Sequence, residues 1–215
     1  MTIKEAIKAR KIKEVLHFTT HKGLLGVLHS GCVLSRARLP KETRLEHIYE
    51  PNASYRKDQA WLDYVNLSIS SINHRFFDSS CRWHREIELW WCILVFDPII
   101  LTHENVVFAT TNNMYTGVQR STGLKGFLSL FEPTIELWTG NQLARPSMIP
   151  LNFTTCPQAE ALYPHALTIE HLKSVYVICD SDADEVHAQL CLTNNSDVTV
   201  IVDASRFKSE RGNYS

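Results

Sequence analysis

The alternation of apolar and polar residues along the chain predicts a set of short strands. From Val65 to Ile69 the two kinds of residue alternate strictly, which is typical of a strand with one buried face. The small polar residues Asn66, Ser68 and Ser70 fall on the other face, as they would on the floor of a cleft. Short apolar runs predict further strands at residues 15–18, 88–97, 99–101, 106–109, 174–179 and 198–202.

Apolar residues at helical spacing predict several short helices. The lysine-rich segment 3–13 has the pattern of a basic helix, which is more typical of a solvated surface than of a DNA contact. A second helix follows the strand at 15–18, with Thr19 or Thr20 as its N-cap and Gly31 as its C-terminal cap. Helices or helical turns are also predicted at residues 120–131, 167–172 and 181–192.

Three polar stretches, residues 32–60, 73–85 and 133–152, predict loops. The first mixes basic and aromatic side chains. It is either a solvated loop whose aromatic side chains pack into the core, or a surface that stacks bases and pairs with phosphates. The third is a long surface loop just before Glu160, and such loops are usually functional or disordered. Because short strands outnumber helices, the patterns favour an α+β fold built on a small, split, mostly antiparallel sheet.

Composition narrows the class of protein further. A chain of 215 residues is long enough to bury a core and is most simply one domain over residues 1–215. Its net charge of −1 gives no overall attraction to nucleic acid, so any DNA binding has to use local positive patches. No apolar run reaches the roughly 20 residues that span a bilayer, and the basic N-terminus lacks an apolar signal core. These features predict a cytoplasmic protein without membrane contact.

The six cysteines are scattered along the chain without paired spacing. That distribution is typical of reduced cysteines in a cytosolic protein. Cys81 and His84 stand three positions apart, but no second pair has the spacing of a zinc site. The sequence therefore predicts no metal.

One carboxylate, Glu160, stands in a stretch that otherwise has the composition of a short buried strand. The stretch runs from Thr154 to Pro164, and Pro157 and Pro164 bound the apolar residues around Glu160. A carboxylate there has to point into solvent, pair with a cation or face a cleft. A second segment favours the cleft. Residues 15–31 predict a strand, a threonine-rich turn and a helix, whose free backbone N–H groups suit a nucleotide.

These segments belong to an ordered set of motifs that resembles the DarT family. The set consists of His17-Phe18-Thr19 with Gly26 and Gly31, then Asp63-Tyr64-Val65, then Gln158-Ala159-Glu160. The order of these motifs over roughly residues 15–178 is the specific signal. DarT proteins are bacterial toxins that transfer ADP-ribose from NAD onto a base of single-stranded DNA. The resemblance implies an ADP-ribosyltransferase-like fold with a long substrate-recognition loop, NAD as co-substrate, and a macrodomain antitoxin as partner.

The resemblance also implies roles for individual residues. Glu160 would hold the NAD ribose and stabilise its developing positive charge, and Arg56 would be the catalytic arginine, with Arg44 as the alternative. A phosphate-binding role suits Arg56 better than proton transfer, because the pKa of arginine exceeds about 12. The NAD site would comprise His17, Phe18, Thr19, Gly26, Leu34 and Arg56. The DNA contacts before Glu160 would be Arg145, Asn152 and Thr154. Without the resemblance, His17 is more simply a core histidine with satisfied hydrogen bonds.

The target of the reaction stays open at this point. Residues 66–70 depart from the more aromatic, proline-containing stretch of thymidine-modifying DarT proteins, and this difference favours guanine slightly over thymine. The alternatives are the same fold acting on a protein or RNA, and a catalytically silent NAD-binding module. The presence of both Arg56 and Glu160 counts against the silent module.

Overall fold

The computed structural model describes residues 1–39, 59–83 and 89–209. The strands in these residues are β1 Val15–Thr20, β2 Cys32–Leu34, β3 Tyr64–Ile69, β4 Trp91–Phe96, β5 Val107–Ala109, β6 Arg120–Thr122, β7 Thr134–Trp138, β8 Asn141–Ala144, β9 Glu160–Pro164, β10 Ala166–Thr168, β11 Leu172–Val177 and β12 Thr199–Val202. In this part of the chain one sheet of eight strands has the order β12-β11-β4-β1-β3-β9-β5-β6, and two small sheets pair β10 with β2 and β7 with β8. The neighbours in the large sheet are antiparallel, apart from the parallel pair of β11 and β12.

The large sheet is split between β1 and β3. Among the described residues, the pairing of these two strands is limited to Val15 with Ile69 and Leu16 with Ser68. In contrast, β1 pairs with β4 along its whole length, and β3 pairs with β9 from its first residue. The two halves of the sheet therefore separate from His17 onward. The predicted split, mostly antiparallel sheet is confirmed.

The described residues form five helices: α1 Ile3–Ala9, α2 His21–Ser30, α3 His74–Trp83, α4 Gly123–Ser129 and α5 Asp180–Leu192. Four of them, α1, α2, α4 and α5, bury apolar side chains in one large core, to which Val15 of β1 also belongs. The next residue, Leu16, packs instead with Phe77 of α3 in a second cluster. Because successive residues of a strand point to opposite faces, α3 covers the other face of the sheet.

The helix after β1 has the caps that the sequence predicts. Thr20, rather than Thr19, is the N-cap, and its hydroxyl accepts a hydrogen bond from the Gly23 N–H at 3.2 Å. Gly31 ends the helix with a φ of 71°, a left-handed conformation that glycine adopts without strain. Thr168 caps the helical turn at 169–171 as predicted, since its hydroxyl accepts from the Glu170 N–H.

The prediction of a polar loop at 73–85 is wrong, because α3 occupies most of it. Asn73 begins the helix, and its side-chain oxygen accepts from the Phe76 N–H at 3.1 Å. Phe77 and Ser80 are then buried, while the polar residues between them are more exposed. This helical spacing was obscured by the polar composition of the segment.

The prediction of a strand at 99–101 is also wrong. These residues belong to a 3-10 helix, Pro98–Thr102. Asp97 caps this helix, since its carboxylate accepts from the Ile99 N–H at 2.8 Å. An Asp-Pro dipeptide is a typical helix start, because the proline lacks an N–H that would need a partner there.

The prediction of one long loop at 133–152 is corrected by the hairpin of β7 and β8. Gly140, with a φ of 76°, lies in the turn between the two strands. Ile135 is 2% exposed, so the hairpin is anchored in the main core. The irregular segment before Glu160 is therefore shorter than predicted and begins after Ala144.

Candidate active site

A strip of polar side chains crosses the face of the sheet that α3 covers. Asn66 and Ser68 belong to it and are half-buried, whereas Leu67 between them points into the main core. Ser68 pairs with Leu16 of the second cluster, and Asn66 pairs with Leu162 of a third apolar cluster. The polar strip thus lies between two apolar clusters on one face. The predicted polar face of β3 is present.

Glu160 is the first residue of β9 and lies in this strip. It pairs with Ala109 of β5. On the other side Leu67 of β3 pairs with Ala161, so the next position along the two strands places Ser68 beside Glu160. Its side chain is half-buried, and Oε2 accepts a hydrogen bond from the Asn113 N–H at 3.2 Å. A carboxylate held by a backbone N–H at the edge of a polar strip can stabilise a cation that forms beside it.

Arg120 of β6 holds the turn that carries Asn113. Arg120 Nε donates to Asn113 Oδ1, and Arg120 Nη2 donates to the Asn113 carbonyl oxygen, both at 2.5 Å. The guanidinium also lies over the ring of Trp61, 5.1 Å from its centroid. Neither Arg120 nor Asn113 was identified from the sequence, because their contact depends on the pairing of β5 with β6.

Gln158, two residues before Glu160, joins a hydrogen-bonded group of polar side chains. Its Nε2 donates to the Tyr115 hydroxyl at 3.1 Å, and its Oε1 accepts from Asn112 Nδ2 at 3.5 Å. Arg75 of α3 reaches the same hydroxyl at 3.4 Å. The glutamine of the Gln-Ala-Glu motif thus ties the segment before β9 to the turn at 112–115 and to α3.

His17 lies where the sheet splits. Its Nδ1 is 3.0 Å from the carbonyl oxygen of Asn66 on β3. A carbonyl can only accept, so Nδ1 donates and carries the proton. Burial lowers the pKa of His17, and the hydrogen bond to Asn66 opposes that shift to a smaller extent, so the ring is neutral at pH 7. Its Nε2 is then an acceptor beside the split.

Phe18 and Thr19, also predicted for the NAD site, follow on the same strand. The ring of Phe18 packs with the aromatic rings of the second cluster, with its centroid 5.3 Å from that of Phe77. Thr19 lies against the first turn of α2, since a Cβ added to Gly23 would be 2.1 Å from Thr19 Oγ1. A side chain at position 23 would therefore have to displace the Thr19 hydroxyl from α2.

Gly26 and Leu34, the remaining described residues of the predicted NAD site, lie on α2 and β2. A Cβ added to Gly26 would meet no atom within 4 Å among the described residues, so its backbone faces open space. Leu34 is half-buried and pairs with Ala166 of β10, directly after β9. The segment from β1 through α2 to β2 thus connects the split of the sheet with the end of β9.

Asp63, which belongs to the Asp-Tyr-Val motif, joins three segments. Arg38 donates to both of its carboxylate oxygens at 2.7 and 3.0 Å, and the Ser35 hydroxyl donates at 2.8 Å. His165 Nδ1 lies 2.7 Å from the second oxygen. The guanidinium of Arg38, followed by Ser35, holds the pKa of Asp63 well below its usual range. This motif therefore fixes the start of β3 to the turn after β9.

Two of the three residues predicted to contact DNA are engaged within the protein. Arg145 donates to the carbonyl oxygens of Phe153 and Pro150 at 2.8 and 2.9 Å, so it organises the segment before Glu160. Thr154 is 3% exposed, and its hydroxyl donates to the Cys156 carbonyl oxygen at 2.7 Å. In the described structure both residues shape this segment from within.

Asn152, the third of these residues, lines a surface groove of about 390 Å³. The groove is bordered by Lys11, Lys13, Glu14, Ser70, Pro150, Asn152, Phe153 and Arg206. Arg206 forms an ion pair with Glu14, while both lysines are exposed. Ser70 directly follows β3, so the groove lies at the end of the strand that carries Asn66 and Ser68.

The two candidate catalytic arginines, Arg56 and Arg44, lie outside the described residues, as does His84. Within residues 1–39, 59–83 and 89–209, no group of three or more His, Cys, Asp or Glu side chains is placed to hold a metal ion. In the same ranges, no helix is long and apolar enough to cross a membrane. All six cysteines are free thiols.

Comparison with known families gives one match that covers most of the chain. The family model described as "ssDNA thymidine ADP-ribosyltransferase, DarT" matches residues 16–207. Comparison with curated proteins gives no match.

Solved structures with the same fold include proteins of Thermus sp. 2.9 and Thermosipho africanus. DarT of Thermus sp. 2.9 in complex with ADP-ribosylated ssDNA is 14% identical over 92% of this chain and 97% of its own, with a TM-score of 0.65. Its complex with NAD+ is also 14% identical, over 92% of this chain and 98% of its own, with a TM-score of 0.62. Thermosipho africanus DarTG in complex with ADP-ribose is 13% identical over 91% of this chain, with a TM-score of 0.59. The chain spans 51% of that protein. These likenesses confirm the predicted α+β, ADP-ribosyltransferase-like fold.

Proposed function

The chain belongs to the DarT family of ssDNA thymidine ADP-ribosyltransferases, and from this premise we propose that it transfers ADP-ribose from NAD onto a base of single-stranded DNA. The observation that carries the proposal is Glu160, held at the start of β9 by the Asn113 N–H, in a polar strip next to the split of the sheet. The Thermus relative with the same fold binds NAD+ in one structure and ADP-ribosylated ssDNA in another.

In the proposed reaction, the bond between ribose C1′ and the nicotinamide nitrogen breaks. Nicotinamide leaves as a neutral molecule, and the target base bonds to C1′ and loses a proton. The ribose carries positive charge in the transition state, as in glycoside hydrolysis. Glu160 holds the ribose and stabilises that charge. Arg56 binds the diphosphate, with Arg44 as the alternative.

We assign the NAD site to His17, Phe18, Thr19, Gly26 and Leu34, together with Arg56. The position of His17 supports this assignment, because its neutral ring leaves Nε2 as an acceptor at the split. The open space at Gly26 allows a nucleotide to approach the backbone of α2. For Phe18 the ring is engaged in the second cluster, so its backbone is the group available to NAD.

We assign the DNA contact before Glu160 to Asn152, and we give Arg145 and Thr154, the other two predicted contact residues, a supporting role. Asn152 is supported directly, since it borders the groove with two exposed lysines. Arg145 and Thr154 act by shaping the segment before Glu160, through the hydrogen bonds to its carbonyl oxygens. The groove supplies the local positive charge that a chain of net charge −1 needs to bind a polyanion.

The family description names thymidine as the target, whereas the departure of residues 66–70 from the stretch found in thymidine-modifying members keeps guanine slightly favoured in our proposal. We propose a macrodomain antitoxin that removes ADP-ribose as the partner of this toxin. The similar Thermosipho protein is a DarTG, of which this chain spans 51%, and was solved with ADP-ribose. A substrate of single-stranded DNA agrees with the predicted location in the cytoplasm.

The test incubates the protein with NAD and single-stranded oligonucleotides that each lack one base type, and weighs the products by mass spectrometry. The expected result is a gain of one ADP-ribose with every oligonucleotide except the one that lacks the target base. The Glu160→Gln variant keeps the size of the side chain and removes its charge, so transfer falls roughly 10²-fold or more.

Three outcomes contradict the proposal in different ways. NAD consumption without a mass gain on any DNA means that ADP-ribose passes to water or to the protein itself, and it directs the search to a protein or RNA target. No consumption of NAD means a silent module. Transfer by Glu160→Gln at the wild-type rate means that another residue stabilises the transition state.

A further inference from the structure

Three neighbouring strands align Arg120 and Glu160 in one row across the sheet. Ala109 of β5 pairs with Arg120 of β6 on one side and with Glu160 of β9 on the other. Residues paired in this way point to the same face, so the guanidinium and the carboxylate extend from that face on either side of Ala109. Strands are about 4.8 Å apart, which places the two side chains roughly 10 Å apart at their origins.

Asn113 bridges this gap. Its N–H donates to Glu160 Oε2 at 3.2 Å, while Arg120 donates to its side-chain oxygen and to its carbonyl oxygen. Two hydrogen bonds from one planar guanidinium fix the position and the orientation of a residue much better than one does. Arg120 is itself oriented by Trp61, over whose ring it lies.

The bridge leaves one of its own polar groups without a partner. Asn113 is 4% exposed, and its Nδ2 has no hydrogen-bond partner among the described residues. A buried donor without a partner is unfavourable and is rare in native proteins. Since Arg120 holds Oδ1, the amide cannot turn over without losing that bond. Within the described residues, the Asn113 side chain is thus held through Oδ1 by Arg120 alone.

We propose that Arg120 is a positioning residue for Glu160, acting through the backbone N–H of Asn113. This inference rests on the proposed function, in which Glu160 stabilises the reacting ribose. Removing the guanidinium releases the Asn113 turn, and the carboxylate loses one hydrogen-bond donor that favours its ionised and correctly placed form.

A different role for Arg120 is direct binding of a substrate phosphate, which its partly exposed position on β6 permits. The two roles differ in their effect on Glu160. A phosphate ligand changes the affinity for NAD or DNA and leaves the carboxylate alone. A positioning residue changes the titration of the carboxylate and the turnover.

The experiment is an NMR titration of the full chain carrying ¹³C-labelled glutamate, in which the Glu160 signal is identified by its loss in Glu160→Gln. In Arg120→Met we expect the titration midpoint of the Glu160 carboxylate to move to higher pH by on the order of one unit, because its N–H donor is lost. Arg120→Lys keeps the charge and one donor, so the shift is smaller and in the same direction. This variant also serves where Arg120→Met does not fold.

Arg10→Met is the matched control. The Arg10 guanidinium also lies over an aromatic ring, 3.8 Å from the centroid of Phe131, and donates to the Leu151 carbonyl oxygen, but it does not contact Asn113 or Glu160. We expect this variant to lose thermal stability and to leave the Glu160 titration in place. A shift of equal size in both variants means a general effect of lost packing and overturns the proposal.

Kinetics separate this proposal from the proposed function. We expect kcat for ADP-ribosyl transfer to fall about tenfold or more in Arg120→Met, while the Kd for NAD changes by less than about twofold. An unchanged Glu160 titration, or a raised Kd with unchanged kcat, overturns the positioning role. A wild-type protein that transfers no ADP-ribose refutes the proposed function instead, and the titration still decides whether Arg120 acts on Glu160.

Discussion

At the residue scale, burial and hydrogen-bond partners decide which role an ionisable side chain can take. His17 illustrates this, because the sequence is compatible both with a core histidine and with a ligand of NAD. Its Nδ1 is bonded to the Asn66 carbonyl oxygen, which satisfies one nitrogen as a core histidine requires. The position at the split, with a ring kept neutral by burial, leaves the other nitrogen as an acceptor. One side chain can therefore be satisfied as a core histidine through Nδ1 and still offer Nε2 to a ligand.

The substitution His17→Asn tests this division of roles. Asparagine can keep a donor near the Asn66 carbonyl oxygen but has no group at the position of Nε2, so we expect NAD affinity to fall about tenfold, as for one lost hydrogen bond. Isothermal titration calorimetry measures this effect. His17→Leu, which removes both nitrogens, is the comparison. Equal NAD affinity in wild type and His17→Asn would show that Nε2 does not contact NAD.

The same variant has an expected effect on the pH dependence of stability. Burial lowers the pKa of His17, so below about pH 6.5 the unfolded chain binds a proton that the folded protein does not. The free energy of unfolding of the wild type therefore falls as the pH decreases from 7 to 5. We expect His17→Asn to show a smaller decrease, measured by urea unfolding at both pH values.

At the scale of elements, polar side chains that link separate segments place the strands of the site relative to one another. Asp63 fixes the 3-10 helix Arg36–Arg38, the start of β3 and the turn at His165 after β9. The Asp-Tyr-Val motif was noticed in the sequence as part of a family pattern, but its physical role became clear only from these partners. It sets the relative placement of β3 and β9, and through them that of Asn66 and Glu160.

Asp63→Asn tests this connection. Since the pKa of Asp63 in the folded protein lies below that in the unfolded chain, its contribution to stability is present above about pH 4 and is lost as the pH falls further. We expect the variant to have a lower urea midpoint at pH 7 and a weaker loss of stability between pH 5 and pH 3. Asp197→Asn, at an exposed aspartate, is the control. Identical acid profiles for Asp63→Asn and wild type would contradict this role.

At the scale of the whole molecule, the distribution of charge decides where a polyanion can bind. The net charge of −1 hides a local excess of positive charge in the groove, which is formed by the segment after α1, the residue after β3, the segment 150–153 and Arg206. These parts are far apart in the sequence. The predicted basic helix at the N-terminus was interpreted as a solvated surface, whereas the two lysines that follow α1 face this groove together with Asn152.

The double variant Lys11→Glu/Lys13→Glu tests the groove as a path for the DNA strand. The control is Lys4→Glu/Lys8→Glu, which makes the same change of charge on exposed positions of α1 outside the groove. We expect the groove variant to bind a 20-nucleotide strand more weakly. The slope of log K against log salt concentration should fall by about 1.4, which corresponds to two lost phosphate contacts. Equal losses in both variants would mean that the groove has no specific role.

The sequence by itself determined the elements whose pattern is local. The alternation at 65–69, the C-terminal cap Gly31 and the apolar runs of β4 and β11 depend on neighbours in the chain, so the sequence predicts them. The N-cap was narrowed to Thr19 or Thr20, and the structure decides for Thr20. Polar helices and short hairpins were missed, because α3 and the pair β7–β8 carry their apolar pattern on few residues.

Only the tertiary structure decided how the site is assembled. Glu160 could be singled out from its unusual stretch, but its hydrogen bond to the Asn113 N–H and the support from Arg120 depend on the order β9-β5-β6. The split at His17 and the groove around Asn152 likewise depend on how distant segments pack together. The physical reason is that hydrogen bonds and charge pairs form between residues far apart in sequence, once burial of the apolar core has fixed the strands in register.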